Sequence, residues 1–146
     1  MIALDTNILV YAGQSEPDHR KERAIEIVAA VAVVDSFLPT QALVEFSAVC
    51  RSKRLLDLAA CEKRVIEWSE GFRTIGILPE DVVRALSTVD RHKLSFYDAL
   101  ICATARRGGA TTLLSEDMAD GENYDGVRIV NPFDPANEAV IAHLLT

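Results

Sequence analysis

A chain of 146 residues, 49% hydrophobic and 25% charged, carries enough apolar side chains for one core and fits a single domain over residues 1–146. Its net charge of −7 and pI of about 4.9 argue against a protein that grips nucleic acid with its whole surface, while leaving room for a local basic patch. The three cysteines, Cys50, Cys61 and Cys102, are odd in number, and Cys50 and Cys102 lie in apolar helical runs, so they read as free thiols in a reducing cytoplasm. No charged segment leads into an apolar run at the start, and Ala24–Val34 is short and interrupted by Glu26, so neither a secretory leader nor a membrane span is expected.

Taken in order, Met1–Leu4 predicts a short buried strand, and Thr6–Gly13 a turn with some helical character. Pro17–Val33 predicts a long helix opened by Ser15-Glu16-Pro17, and Val34–Leu38 a second strand. Thr40–Lys53 predicts a helix capped by Thr40. Leu58–Phe72 predicts another, with Leu58, Val65 and Trp68 as its apolar stripe. Thr74–Leu78 is a third strand, and Pro79–Asp90 a helix with Pro at its first position. Ser95–Arg107 is a helix stopped by Gly108-Gly109, Ala110–Leu114 and Val127–Val130 are the last strands, and Pro135–Leu145 is a closing helix. Glu116–Gly126 is the one long acidic connection. Strands that alternate with helices and are apolar throughout point to an α/β domain: a mainly parallel sheet of about five strands, with helices on both faces.

Four acids stand in apolar surroundings. Asp5 closes Ile2-Ala3-Leu4, Glu45 lies within Ala42-Leu43-Val44-Glu45-Phe46, Asp98 leads into Ala99-Leu100-Ile101, and Asp117 follows Leu113-Leu114-Ser115. None has a basic residue immediately beside it, and an unpartnered buried carboxylate costs several kcal/mol. In an open parallel sheet, Asp5 and Asp117 fall just past the carboxyl ends of strands. Glu45 and Asp98 fall near the starts of helices, so all four reach one edge. Oxygen ligands suit a hard divalent cation, which can lower the pKa of a bound water and stabilise charge on a phosphate. Simpler roles compete: Asp98 within a capping box begun by Ser95, Asp5 in an Asx-turn with Thr6 and Asn7, Glu45 facing solvent, and Asp117 as one of several loop acids.

These residues resemble the PIN-domain ribonucleases, in particular the VapC-like toxins of bacterial toxin–antitoxin pairs. The likeness rests on Leu4-Asp5-Thr6-Asn7, Glu45, Phe96-Tyr97-Asp98-Ala99-Leu100-Ile101 and Leu113-Leu114-Ser115-Glu116-Asp117, in that order, and spans essentially the whole chain. It implies a Rossmann-like fold and a Mg²⁺- or Mn²⁺-dependent endoribonuclease yielding 5′-phosphate and 3′-hydroxyl ends. By matched position it implies Asp5, Glu45, Asp98 and Asp117 as catalytic metal ligands, with Thr6, Asn7 and Ser115 as polar supports. Asp120 stands open between an outer acid and a plain loop residue. The resemblance also implies a small VapB-like antitoxin as partner, a homodimer and a cytoplasmic setting.

Basic residues cluster at the ends of two helices, Arg51, Lys53 and Arg54 in one and Arg106 and Arg107 in the other, where they complement helix dipoles and are expected away from the acidic edge. His19, Arg20, Lys21 and Arg23 differ, because they occupy the start of a helix, and they are candidate contacts for RNA phosphates. Tyr11 and Tyr97 are expected to pack at the core or rim rather than to stack on bases. A haloacid-dehalogenase-like phosphatase would want a second Asp where Asn7 stands. A receiver domain would want paired acids after the first strand and an Asp where the third ends in Leu78-Pro79. A PIN-like scaffold that binds RNA without cutting it would not need all four acids.

Overall fold

Ile2–Leu4 (β1) is wholly buried and pairs in parallel with a strand on each side. A computed structural model describes all residues, 1–146. The chain continues through α1 (Thr6–Gly13), α2 (Lys21–Val31), β2 (Ser36–Pro39), α3 (Thr40–Ser52), α4 (Leu58–Gly71) and β3 (Thr74–Ile75). Then follow α5 (Pro79–His92), α6 (Phe96–Arg107), β4 (Thr112–Leu114), β5 (Asn123–Tyr124), β6 (Val127–Val130) and α7 (Glu138–Leu144). The sheet order is β3-β2-β1-β4-β6-β5, parallel except for β5 against β6. This is the expected α/β architecture with one more strand. One apolar cluster runs through the sheet and the helices that cover it, and Phe37, Phe46, Leu38, Leu113 and Ile129 are fully enclosed in it. No helix is long and apolar enough to cross a membrane.

The departures from expectation have local causes. Thr6–Gly13 is a full helix, because Asp5 caps it by accepting from the Thr6 N–H at 2.7 Å. The helix expected from Pro17 starts at Lys21. Before that point Asp18 accepts from the Arg20 N–H at 2.8 Å and the Gln14 side chain bonds Glu16, so side chains hold the backbone in turns. Thr40 is the first residue of α3 rather than its cap, and no side-chain cap bond forms there. In α4 the buried stripe is Cys61 with Val65 and Trp68 packed beside it, while Leu58 is exposed. Trp68 meets Phe46 edge-on at 4.8 Å, and a Cβ on Gly13 would come within 2.5 Å of the Trp68 ring, so α1 approaches α4 only through glycine. β3 stops at Ile75 because the chain is then drawn off the sheet: the Gly76 carbonyl accepts from Arg107, and the Leu78 N–H donates to Asp81. The expected last helix is split into a 3₁₀ turn at Pro135–Asn137, capped by Asp134, and α7. The sixth strand lies within the acidic connection. Asp125 and Gly126, at φ +54° and +92°, make a two-residue hairpin that turns β5 back onto β6.

α5 and α6 pack against each other as an antiparallel pair, pinned by Asp81. Asp81 is 2% exposed and accepts from Arg107 Nε at 2.9 Å and from the Leu78 N–H at 2.9 Å. Burial alone would raise its pKa, but Arg107 and the Leu78 N–H outweigh that and hold the carboxyl below its ordinary range. A depressed folded-state pKa gives stability that is present above the unfolded value and is lost as pH falls through the folded one. Asp81→Asn is therefore expected to lower the unfolding free energy by about 3 kcal/mol at pH 7. Urea denaturation at pH 7 and pH 3 should show the gap to wild type closing in acid.

Candidate functional site

The carboxyl ends of β1 and β4 lie side by side, with Leu4 opposite Leu114. That register sets Asp5 next to Ser115, and both are buried, at 4% and 0% exposure. The Ser115 hydroxyl donates to Asp5 Oδ2 at 2.7 Å, and Asn7 Nδ2 donates to the same oxygen at 3.3 Å. Asn7 Oδ1 in turn accepts from the Glu116 N–H at 3.2 Å, which fixes the chain just before Asp117. Thr6 reaches the other way: its hydroxyl donates to Glu45 Oε2 at 2.7 Å, while Gln41 Nε2 holds Glu45 Oε1 at 3.1 Å. Thr6, Asn7 and Ser115 thus tie α1, α3 and the loop after β4 to one point.

A cleft of about 370 Å³ opens there, lined by Asp5, Asn7, Glu45, Asp98 and Asp117, and by Tyr11 and Lys53. Ser95 caps α6 by accepting from the Asp98 N–H at 3.2 Å. No bond returns from the Asp98 carboxylate to the Ser95 N–H, so the capping box is only half made and that carboxylate remains at the cleft. Burial pushes Asp5 up to about 6 against the hydrogen bonds of Ser115 and Thr6, and Asp98 and Asp117 add repulsion. Asp98 is raised as well, by burial first, against the Ser95 hydroxyl and with repulsion from Asp117 and Glu45. None of the four acids forms an ion pair, although Asp18, Asp81, Glu116 and Asp125 all do.

Unpaired carboxylates that repel one another fit a hard divalent cation by the chemistry of their oxygens. No three or more acids, histidines or cysteines are already converged as a ligand set. A cation that keeps part of its water shell does not need them to be. A cation held there would offset the repulsion between them.

Other expected residues lie elsewhere. Arg20 rests 4.0 Å over the Tyr11 ring and is bonded to Asp18 and, at 2.8 Å, to Glu116. Lys21 Nζ donates to the Gln14 carbonyl, Arg23 to Glu138 and to the Pro132 carbonyl, and His19 is exposed. Tyr11 packs edge-on against Phe133, and Tyr97 is exposed. Asp120 accepts from the Asn131 N–H and from Asn137 Nδ2, so it anchors the loop before α7 and does not line the cleft.

Lys53 corrects an expectation. It lines the cleft instead of lying away from it, because α3 runs along the cleft wall and Ala48, Val49 and Lys53 follow Glu45 on the same face. Sequence reasoning passed over Gln41 and Glu116. Gln41 precedes Glu45 by one helical turn, and that spacing is the signal that could have found it. Its Nε2 also donates to the Tyr97 carbonyl at 2.8 Å, while its buried Oε1 has no partner.

The profile of the PIN domain family matches residues 2–119. None of the curated proteins compared with the chain matches it. Among solved structures, the Mycobacterium tuberculosis toxin VapC20, described as cleaving the sarcin–ricin loop, is similar at 21% identity and TM-score 0.67, over 80% of this chain and 90% of that one. A chain of a toxin–antitoxin complex from Klebsiella pneumoniae is similar at 21% identity and TM-score 0.65, over 92% and 99%. A chain of VapBC2 from Rickettsia felis, bound to a promoter DNA fragment, is similar at 18% identity and TM-score 0.62, over 90% and 98%. These likenesses establish a shared fold, and with the profile spanning most of its length the chain belongs to the PIN domain family.

Proposed function

We propose that the protein is a Mg²⁺- or Mn²⁺-dependent endoribonuclease, the toxin of a toxin–antitoxin pair. The observation that carries this reading is the cleft that Asp5, Glu45, Asp98 and Asp117 line without a single ion pair. Asp5 and Asp98 would hold most of the cation, with Asp117 and Glu45 completing its shell directly or through water. The cation supplies a water of lowered pKa and compensates charge on the phosphate. Both Glu45 oxygens already accept, from Thr6 and from Gln41, so its carboxylate is fixed in orientation. Asp117 is exposed and accepts no hydrogen bond, which leaves it free to take a proton from an attacking water. Ser115 and Asn7 hold Asp5 in place for the cation, and Lys53 stands where a phosphate would enter.

A small VapB-like antitoxin is the expected partner, supported by the toxin–antitoxin complex among the structural relatives. The acidic cleft would accept an Arg or Lys from such a partner. A homodimer in the cytoplasm completes the reading.

Cleavage of RNA by the purified protein, free of any partner, should appear with Mg²⁺ or Mn²⁺ and vanish with EDTA. Asp98→Asn is expected to reduce it at least about 100-fold, beyond the usual loss for removing a residue behind a metal ligand. Calorimetry that detects no cation binding to wild type would sink the proposal. A second expectation concerns stability. Asp5 keeps a raised folded-state pKa, so its burial is least costly when it is protonated at low pH, and the cost is fully present above pH 6. In EDTA at pH 7.5, Asp5→Asn should raise the unfolding free energy by about 1–3 kcal/mol. Added cation should stabilise wild type and leave the variant unmoved, as read by urea denaturation.

A further inference from the structure

A second cavity is larger than the acidic cleft. It is a groove of about 660 Å³ beside the α5–α6 pair, lined by Arg84, Ser87, Arg91, Arg106, Arg107 and Asp81 among others. Arg84, Ser87 and Arg91 share one face of α5 at helical spacing, and Arg106 and Arg107 form the last turn of α6. Four guanidinium groups therefore meet on a chain whose net charge is −7.

Two of the four are fixed in place. Arg107 is held by Asp81, and Arg91 Nη2 bonds both Asp125 oxygens at 2.9 and 3.0 Å. The other two are uncommitted. The Arg106 side chain makes no hydrogen bond or ion pair, and the only charged contact of Arg84 is a long one, 3.8 Å from Asp125. The dipole of α6 accounts for a cation at Arg106 or Arg107, but Arg84 sits in the body of α5, where the dipole gives nothing. Counting Glu80, Asp81 and Asp125 against the four arginines leaves the groove one positive charge in excess. A guanidinium presents a planar fork of donors that matches phosphate oxygens two at a time.

We propose that this groove binds the phosphate backbone of the RNA substrate, as a second contact away from the cleft. The inference rests on the ribonuclease reading. α6 connects the two places, with Asp98 in its first turn and Arg106 in its last, eight residues on. Eight residues of helix rise about 12 Å. Stacked nucleotides advance about 3.4 Å per step, so a strand held in the groove would extend some four nucleotides from the cut. Phosphate contacts of this kind fix where the strand lies without reading its sequence.

The test is fluorescence anisotropy of a labelled single-stranded oligoribonucleotide in EDTA, where nothing is cut, across a series of salt concentrations. Arg84→Gln with Arg106→Gln removes two contacts and no internal hydrogen bond. At about 0.7 in the log–log salt slope per contact, the double variant should bind about 20-fold more weakly at 0.1 M salt, with a slope shallower by about 1.4. Should the double variant fold poorly by thermal melt, Arg106→Gln alone should lose about 5-fold, with a slope shallower by about 0.7. Wild-type affinity and slope in a folded variant would overturn the proposal. So would AMP, titrated by calorimetry, binding wild type and not the variant while RNA affinity is unchanged, since the groove would then serve a free nucleotide. A wild type that binds RNA with a salt slope the variant lessens, yet cuts none with metal, would remove the ribonuclease reading. An active wild type whose slope the variant leaves unchanged would remove the second contact alone.

Discussion

Everything at the acidic cleft hangs on one strand. β1 lies between β2 and β4, and its register with β4 places Asp5 beside Ser115. A slip of one residue would turn every β1 side chain to the opposite face and move Asp5 out of reach of the Ser115 hydroxyl. From Asp5 the arrangement spreads by short steps. Asp5 starts α1, Thr6 on α1 fixes Glu45 of α3, and Asn7 fixes the backbone of Glu116 ahead of Asp117. Three buried apolar residues, Ile2, Ala3 and Leu4, supply the rigidity that lets a carboxylate be enclosed at the next position.

The chain treats its acids in two ways. Asp81 is matched by Arg107, Asp125 by Arg91, and Glu116 by Arg20, and each of these pairs joins separate parts of the fold. The cleft acids receive neutral donors instead: Ser115 and Asn7 for Asp5, Thr6 and Gln41 for Glu45. Neutral donors orient a carboxylate without cancelling its charge. Burial and mutual repulsion therefore stay in force, which is why Asp5 and Asp98 both hold protons more tightly than ordinary carboxylates. Arg20 shows that the separation is local. It lies over the ring of Tyr11, which lines the cleft, yet its charge is spent on Asp18 and Glu116.

Much of this was legible in the sequence because it rests on pattern. Apolar runs flanked by helical spacing gave the parallel sheet and its order of elements, and an acid at the end of such a run is conspicuous. What escaped depends on contacts between distant residues or on side chains competing with the backbone. The start of α2 was displaced by Asp18 and Gln14, whose side chains satisfy backbone groups that a helix would otherwise claim. β3 was cut short by Arg107, which lies about thirty residues further on. The hairpin at Asp125-Gly126 was available as a local turn signal, but the surrounding acids made the segment read as a loop. Lys53 was misplaced because a basic residue at a helix end has a sufficient explanation in the dipole, and only the course of α3 along the cleft shows where it lies.

The four cleft acids differ in exposure in a way that suits a cation arriving from water. Asp5 is enclosed, Glu45 and Asp98 are partly buried, and Asp117 is exposed. Buried groups held by hydrogen bonds cannot adjust much, so they set the position of any ligand they share. An exposed carboxylate on a loop can adjust, and it gives up little by exchanging solvent for a new partner. Mutual repulsion disfavours closing all four onto one point, and no three of them form a converged ligand set. The gradient ranks the acids by how firmly the fold holds them: Asp5 by the end of β1 and its bond from Ser115, Glu45 by its neighbours on α1 and α3, and Asp117, which accepts no hydrogen bond, least.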